Sequence, residues 1–176
     1  MVLAHLGYFA GSLVAIVFVA AGVMKLSDRR SFVRALHRYA LLPRWAVTPA
    51  ASALPPMEIA IGVAVVVGWF APLPLIAAAC LLVVFGLAIG VNLARGRPVP
   101  CGCFGGRDDP PANTATIWRN LGLAAVAVAA VVLQEAASRS VVVATPAEAG
   151  ILVLAAVSIV VGAMTVRTLR DVERAL

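Results

Sequence analysis

The sequence predicts an all-α integral membrane helical bundle, with about five transmembrane helices and one interfacial amphipathic helix. Three observations predict it. Of the 176 residues, 62% are hydrophobic and only 12% are charged, whereas a soluble domain averages about 45–50% apolar and a quarter charged residues. The apolar residues gather in five stretches, each close to the roughly 20 residues that a spanning helix needs. The basic residues concentrate in the connections between those stretches. The length suits one membrane domain spanning 1–176.

The predicted spans are 6–26, 50–70, 72–94, 117–134 and 148–166. The first resembles a signal peptide in its apolar length, but no positive residue precedes its core and the basic cluster follows it. It is therefore expected to stay as a helix. The second and third are separated by little more than Ala71-Pro72-Leu73-Pro74, which predicts a tight helical hairpin. Between the first two spans, residues 29–42 place Phe32, Leu36 and Tyr39 on one helical face and Arg30, Arg34, His37 and Arg38 on the other. That pattern describes a helix in the cytoplasmic interface, its arginines toward lipid headgroups.

The net charge of +6 would suggest nucleic acid in a soluble chain. Here aromatic residues are sparse at 6%, no nucleic-acid motif occurs, and basic residues beside membrane helices serve to orient them. Lys25, Arg29, Arg30, Arg34, Arg38 and Arg44 follow the first span. Arg95, Arg97 and Arg107 follow the third, with Arg119 just inside the fourth, and Arg167, Arg170 and Arg174 lie in the tail; the opposite side carries only Arg139. The asymmetry predicts a multi-pass protein of a bacterial inner membrane, with the N-terminus outside and the C-terminus cytoplasmic.

Charged and amide side chains within spans are costly and default to functional candidates. Lys25, Glu58, Asn92, Arg119 and Asn120 are such residues, and the topology sets all five toward the cytoplasmic side. Each has a plainer structural account. Lys25 would snorkel to the headgroups, and Glu58, just after Pro55-Pro56, would complement the dipole of a helix N-terminus. Arg119 would be an interfacial anchor, and Asn92 would bond a neighbouring helix. Their convergence predicts one polar pocket among the first four spans, with a Lys25–Glu58 or Arg119–Glu58 ion pair, because an unpaired buried charge costs several kcal/mol.

The loop 95–116 emerges on the same side and holds PVPCGCFGGRDDPP at 98–111. Cysteines one residue apart close a disulfide only in a small strained ring, which makes the bond more readily reduced. Gly102, Gly105 and Gly106 supply the backbone freedom such a ring needs, and Arg97, Arg107 and Arg119 would favour the thiolate. Cys101 and Cys103 are thus candidates for thiol–disulfide exchange. Structural zinc wants four ligands, and only Cys80, His5 and His37 remain to supply them. A two-coordinate soft ion such as Cu(I) and a purely structural pair stay open, which would make the chain a non-enzymatic assembly factor. No cofactor is specified, although the polar pocket would admit a quinone headgroup. Cys80, among alanine, leucine and valine, reads as a small buried hydrophobe.

The segments AGVMKL at 21–26, LLP at 41–43, LPPMEIAIG at 54–62, NLARGRPVPCGCFG at 92–105 and WRNLGL at 118–123 resemble the methylamine-utilisation MauE family, within the wider group of DoxX-like membrane proteins. The CGCFG element followed by an Arg-Asn pair is the most specific part. The resemblance runs from the first span into the fourth. It implies a helical membrane protein associated with disulfide handling beside a thioredoxin-like partner. Carried over by position, Cys101 and Cys103 are the implied redox pair, with Lys25, Glu58, Asn92, Arg119 and Asn120 as the polar framework. Disulfide formation belongs outside the cytoplasm, whereas the charge pattern sets the cysteine loop inside; reconciling the two requires a relay of reducing equivalents or a loop folded back into the bundle.

Overall fold

The computed structural model describes residues 2–68, 72–97, 99 and 111–138. They form five helices: α1 (Val2–Ser27), α2 (Arg29–Tyr39), α3 (Arg44–Val67), α4 (Leu73–Ala94) and α5 (Thr114–Ser138). The expected span at 148–166 and the cysteine pair lie outside the described residues. Four helices carry segments long and apolar enough to cross a bilayer: His5–Ser27, Arg44–Val67, Leu73–Ala94 and Thr114–Ala136. The shortest of these has 22 residues, about 33 Å at 1.5 Å per residue, which matches a hydrocarbon core of about 30 Å. Their outward faces are apolar too: Leu73 and Leu87 on α4 are each 63% exposed, and Val132 on α5 is 60% exposed. Backbone groups satisfied within each helix and apolar side chains turned outward are what a lipid solvent demands.

α1 and α5 run a few residues beyond the expected 6–26 and 117–134, and two further differences bear on the site. The second span begins at Arg44 rather than near residue 50, so Pro49, Pro55 and Pro56 lie inside α3. Membrane helices tolerate internal proline because neighbouring groups satisfy the freed carbonyls. Glu58 is consequently a mid-helix residue, which removes the idea that it complements an N-terminal dipole. The amphipathic helix ends at Tyr39 rather than at residue 42, because Ala40 turns into the left-handed region at φ 49° and its N–H bonds the His37 carbonyl. Its other end is capped by Asp28, whose side chain accepts from the Ser31 N–H at 3.0 Å.

The four long helices alternate in direction. Near one end, Gly7 of α1 lies against Leu133 and Gln134 of α5, and Gly11 lies near Val65 of α3 and Leu75 of α4. Toward the other end, Gly22 of α1 meets Pro55 and Ile59 of α3, while Gly86 and Gly90 of α4 face Asn120 and Ile117 of α5. Glycine is required where α1 crosses α3. A Cβ on Gly62 would stand 2.7 Å from the Ala15 carbonyl oxygen, and one on Gly22 would stand 2.7 Å from the Pro55 carbonyl oxygen. Those contacts are to backbone, which a side-chain rotation cannot relieve. Small residues that let helix backbones approach are the usual means of packing in lipid.

The apolar core runs between α1, α4 and α5, through Val14, Phe18, Leu75, Ala78, Leu82, Ala124, Ala127 and Ala130. The helical repeat that buries Leu75, Ala78, Ala79, Leu82, Gly86 and Ile89 turns Cys80 outward, where it is exposed. This corrects its reading as a buried residue.

Among the described residues, every lysine and arginine belongs to one end of the bundle: Lys25 and Arg29 through Arg44 around α2, Arg95 and Arg97 after α4, and Arg119 at the start of α5. Trp45 and Trp118, 80% and 72% exposed, stand near the starts of α3 and α5 on that same end. Indole rings there suit the boundary between hydrocarbon and headgroups.

Candidate functional site

The last turn of α1 delivers Lys25 into the bundle, where it is 3% exposed. Its ammonium donates to Oε1 of Glu58 on α3, which is 2% exposed. Two rings flank the ammonium, with centroids 5.5 Å away for Phe32 of α2 and 5.1 Å away for Phe85 of α4. A desolvated cation over a phenyl face gains about 1–2 kcal/mol from each well-placed ring, which partly offsets the cost of removing it from water. Four helices thus contribute to one buried cation. Snorkelling does not describe Lys25, because its end group is held inside by Glu58 and covered by α2.

The cover follows from the local sequence. Asp28 caps α2 directly after α1 ends, so the chain turns back beneath the bundle. The repeat that exposes Arg30, Arg34, His37 and Arg38 buries Phe32 and Ala35 and half-buries Leu36 and Tyr39. The apolar face of α2 therefore packs on protein around Lys25. Beneath it lies a cavity of about 240 Å³. Its walls are Lys25, then Phe32, Ala35, Leu36 and Tyr39 of α2, Leu41 and Leu42 of the following turn, Leu54 of α3, and Leu81, Val84, Phe85, Ala88 and Ile89 of α4.

The two asparagines are buried at this end of the bundle without joining the ion pair. Asn92 is fully buried, about two turns beyond Phe85 on the same face of α4, and its Nδ2 donates to the Ala88 carbonyl at 3.0 Å. Asn120 is 3% exposed and faces Gly86 across the α4–α5 contact. Among the described residues, Glu58 Oε2, Asn92 Oδ1 and Asn120 Nδ2 have no hydrogen-bond partner. Buried polar atoms are nearly always paired, so this end retains unused donor and acceptor capacity. Arg119 is half-buried, and the cation paired with Glu58 is Lys25.

The α4–α5 connection is pinned at its base. The Arg97 N–H donates to the Asn92 carbonyl at 3.0 Å, and the Ala112 N–H donates to the Val99 carbonyl at 2.8 Å. Val99 and Ala112 are both buried. The two strands of chain that flank Cys101 and Cys103 are thereby tied together where α4 ends and α5 begins. The cysteines themselves lie outside the described residues.

Sequence reasoning named both asparagines and offered Lys25–Glu58 as one of two ion pairs, because ionisable and amide groups stand out in apolar helices. It missed Phe85, and it expected a polar pocket where the cavity walls are apolar apart from Lys25 and the Tyr39 hydroxyl. A phenylalanine within Leu-Leu-Val-Val-Phe-Gly-Leu carries no local signal of facing a cation. Phe32 was visible only as part of an amphipathic face.

Residues 3–134 match the family described as methylamine utilisation protein MauE. The methylamine utilization protein MauE of Paracoccus denitrificans is 38% identical over 116 residues, which are 65% of this chain and 62% of that protein. The protein of the same name from Methylorubrum extorquens is 34% identical over 120 residues, 68% of this chain and 64% of its own length. That of Methylophilus methylotrophus is 38% identical over 96 residues, 54% of this chain and 50% of its own. The chain thus spans about half to under two thirds of the length of these relatives. No solved structure matches it. The family match extends from the start of α1 to Gln134 near the end of α5 and takes in every residue of the Lys25–Glu58 site; the chain belongs to the MauE family.

Proposed function

We propose that this chain is a multi-pass membrane component of methylamine utilisation that exchanges thiols and disulfides through Cys101 and Cys103, with a thioredoxin-like protein as its partner. The thiolate of one cysteine attacks a sulfur of the partner disulfide, forming a mixed disulfide and releasing the partner's other sulfur as a thiolate. The second cysteine then attacks the mixed disulfide, leaving a Cys101–Cys103 disulfide and a fully reduced partner. The reverse sequence oxidises the partner. The basic end of the bundle faces the cytoplasm, with the N-terminus outside the bacterial inner membrane.

The observation that carries this reading is the Val99–Ala112 backbone hydrogen bond. It supports a dithiol segment tethered at both sides to the end of the bundle that concentrates the buried polar groups. The names of the relatives support the pathway, and the Cys-Gly-Cys spacing supports the chemistry. Arg97 near the start of this segment is exposed and favours a thiolate in its neighbourhood.

Cys101→Ser and Cys103→Ser test the proposal. Each variant is expected to lose exchange with a thioredoxin-like disulfide, and one of them to accumulate a mixed disulfide visible on non-reducing gels. Full exchange activity in both variants would overturn the reading. Labelling of the two thiols by an impermeant maleimide, in inverted vesicles but not in intact cells, is the expected result for the orientation.

A further inference from the structure

The cavity beside Lys25 has a composition that neither the ion pair nor the cysteine reading uses. Its volume of about 240 Å³ is well above the roughly 10–15 Å³ that a single water needs. Water holds a buried site only where it finds two to four polar partners, and these walls are almost wholly alkyl and phenyl. An apolar body is the better occupant. The wall has one buried charged group, the Lys25 ammonium, and its acceptor among the described residues is Glu58. An ammonium has three N–H donors, so Lys25 has donor capacity that the phenyl faces of Phe32 and Phe85 meet only weakly.

The charge balance selects among possible acceptors. Lys25 and Glu58 already form a neutral pair, so an anionic ligand would set a second negative charge beside Glu58 in an apolar setting. A neutral carbonyl oxygen accepts from Lys25 without that cost. The rim of the cavity indicates the route of access. Leu41, Leu42 and Val84 are 38%, 42% and 55% exposed, which gives the opening an apolar lip suited to a ligand arriving from the bilayer.

We infer that this cavity binds a neutral, membrane-soluble amphiphile, whose apolar body lies under α2 and whose carbonyl oxygen accepts a hydrogen bond from Lys25. An isoprenoid-type quinone and the ester carbonyl of a phospholipid chain share this chemistry. The inference does not depend on Cys101 or Cys103.

The test uses the full chain in nanodiscs, with a decyl-substituted 1,4-benzoquinone as probe and decylbenzene as the control that lacks the carbonyl, both followed by equilibrium partitioning. Wild-type protein is expected to bind the quinone in saturable 1:1 fashion and at least about tenfold more tightly than decylbenzene, as a hydrogen bond to a charged group implies. Ala88→Phe, which fills the cavity, is expected to abolish saturable binding of both. The double variant Lys25→Met/Glu58→Leu, which leaves no orphaned charge, is expected to bring quinone affinity down to that of decylbenzene. Thermal unfolding and monodisperse elution establish that each variant is folded. Native mass spectrometry distinguishes the sources: a co-purifying phospholipid held by wild type, lost in Ala88→Phe and displaced by the quinone supports the ester carbonyl as the native acceptor, and a co-purifying quinone supports the other. Equal binding of quinone and decylbenzene by wild type, unchanged quinone binding in Ala88→Phe, or no saturable binding at all would overturn the inference.

Discussion

The two ends of this bundle hold their helices together by different means. At the end where α1 begins and α5 finishes, the contact surfaces are Val14, Phe18, Leu75, Ala78, Ala127 and Ala130. Among the described residues, the Ser12 hydroxyl donates to the Tyr8 carbonyl within α1 at 2.8 Å, and Gln134 Nε2 donates to the Gly7 carbonyl across helices at 3.3 Å. At the other end, an ion pair, two buried amides, two phenyl rings around a cation and a cavity replace continuous packing. Lipid tails are as apolar as leucine, so neither end gains stability merely by burying alkyl groups. The first end obtains it from close approach and dispersion. The second keeps charge, orphaned hydrogen-bonding atoms and empty volume, features that cost stability and are retained where a site needs them.

The largest test of that contrast acts on the ion pair. Lys25→Met alone and Glu58→Leu alone are each expected to cost about 3–5 kcal/mol, because each leaves one charge buried without its partner. The double variant is expected to cost far less than either, because it leaves no charge buried without a partner. Unfolding in mixed detergent micelles measures all three. Additive losses in the double variant would mean that the pair is not the unit of stability.

A smaller effect is expected where α1 crosses α3. Gly62→Ala drives a methyl group against the Ala15 carbonyl and Val19, and overpacking of this kind costs about 1–3 kcal/mol. The same titration reads it, and a neutral result would show that the helices separate freely. Smaller again is Gln134→Leu. It removes the hydrogen bond to Gly7 at the dry end and is expected to cost about 0.6 kcal/mol, the average for such bonds between membrane helices. Gly86→Ala is expected not to lower stability, since the added methyl meets only the Asn120 Cβ at 3.9 Å and alanine is favoured over glycine within a helix by about 0.5–1 kcal/mol. Two glycine substitutions of identical chemistry would then differ according to the interface each occupies.

Much of the site was legible before any coordinates. Lys25, Glu58, Asn92 and Asn120 announce themselves because a polar side chain in an apolar helix is expensive, and their spacing along alternating helices sets them at one end. The role of Lys25 was not legible: the same residue at a helix end snorkels or pairs, depending on whether a partner and a cover stand over it. The register of α3 was misread because proline pairs usually mark helix starts, and here Pro55 and Pro56 sit inside a helix already under way from Arg44. Cys80 was misassigned because an apolar neighbourhood in sequence does not distinguish the protein-facing side of a membrane helix from its lipid-facing side.

The sequence by itself determined the solvent, the four spanning segments that the described residues contain and the clustering of their basic residues at one end. Those properties follow from the length and composition of contiguous segments, which lipid selects one helix at a time. Tertiary structure alone decided which of two candidate cations meets Glu58, that Phe32 and Phe85 enclose the ammonium, and that α2 lies over an apolar cavity. Each depends on how helices distant in the chain are rotated about their axes. That rotation is set by Gly22 and Gly62 allowing α1 and α3 to touch, a steric fact about two backbones that neither segment carries alone.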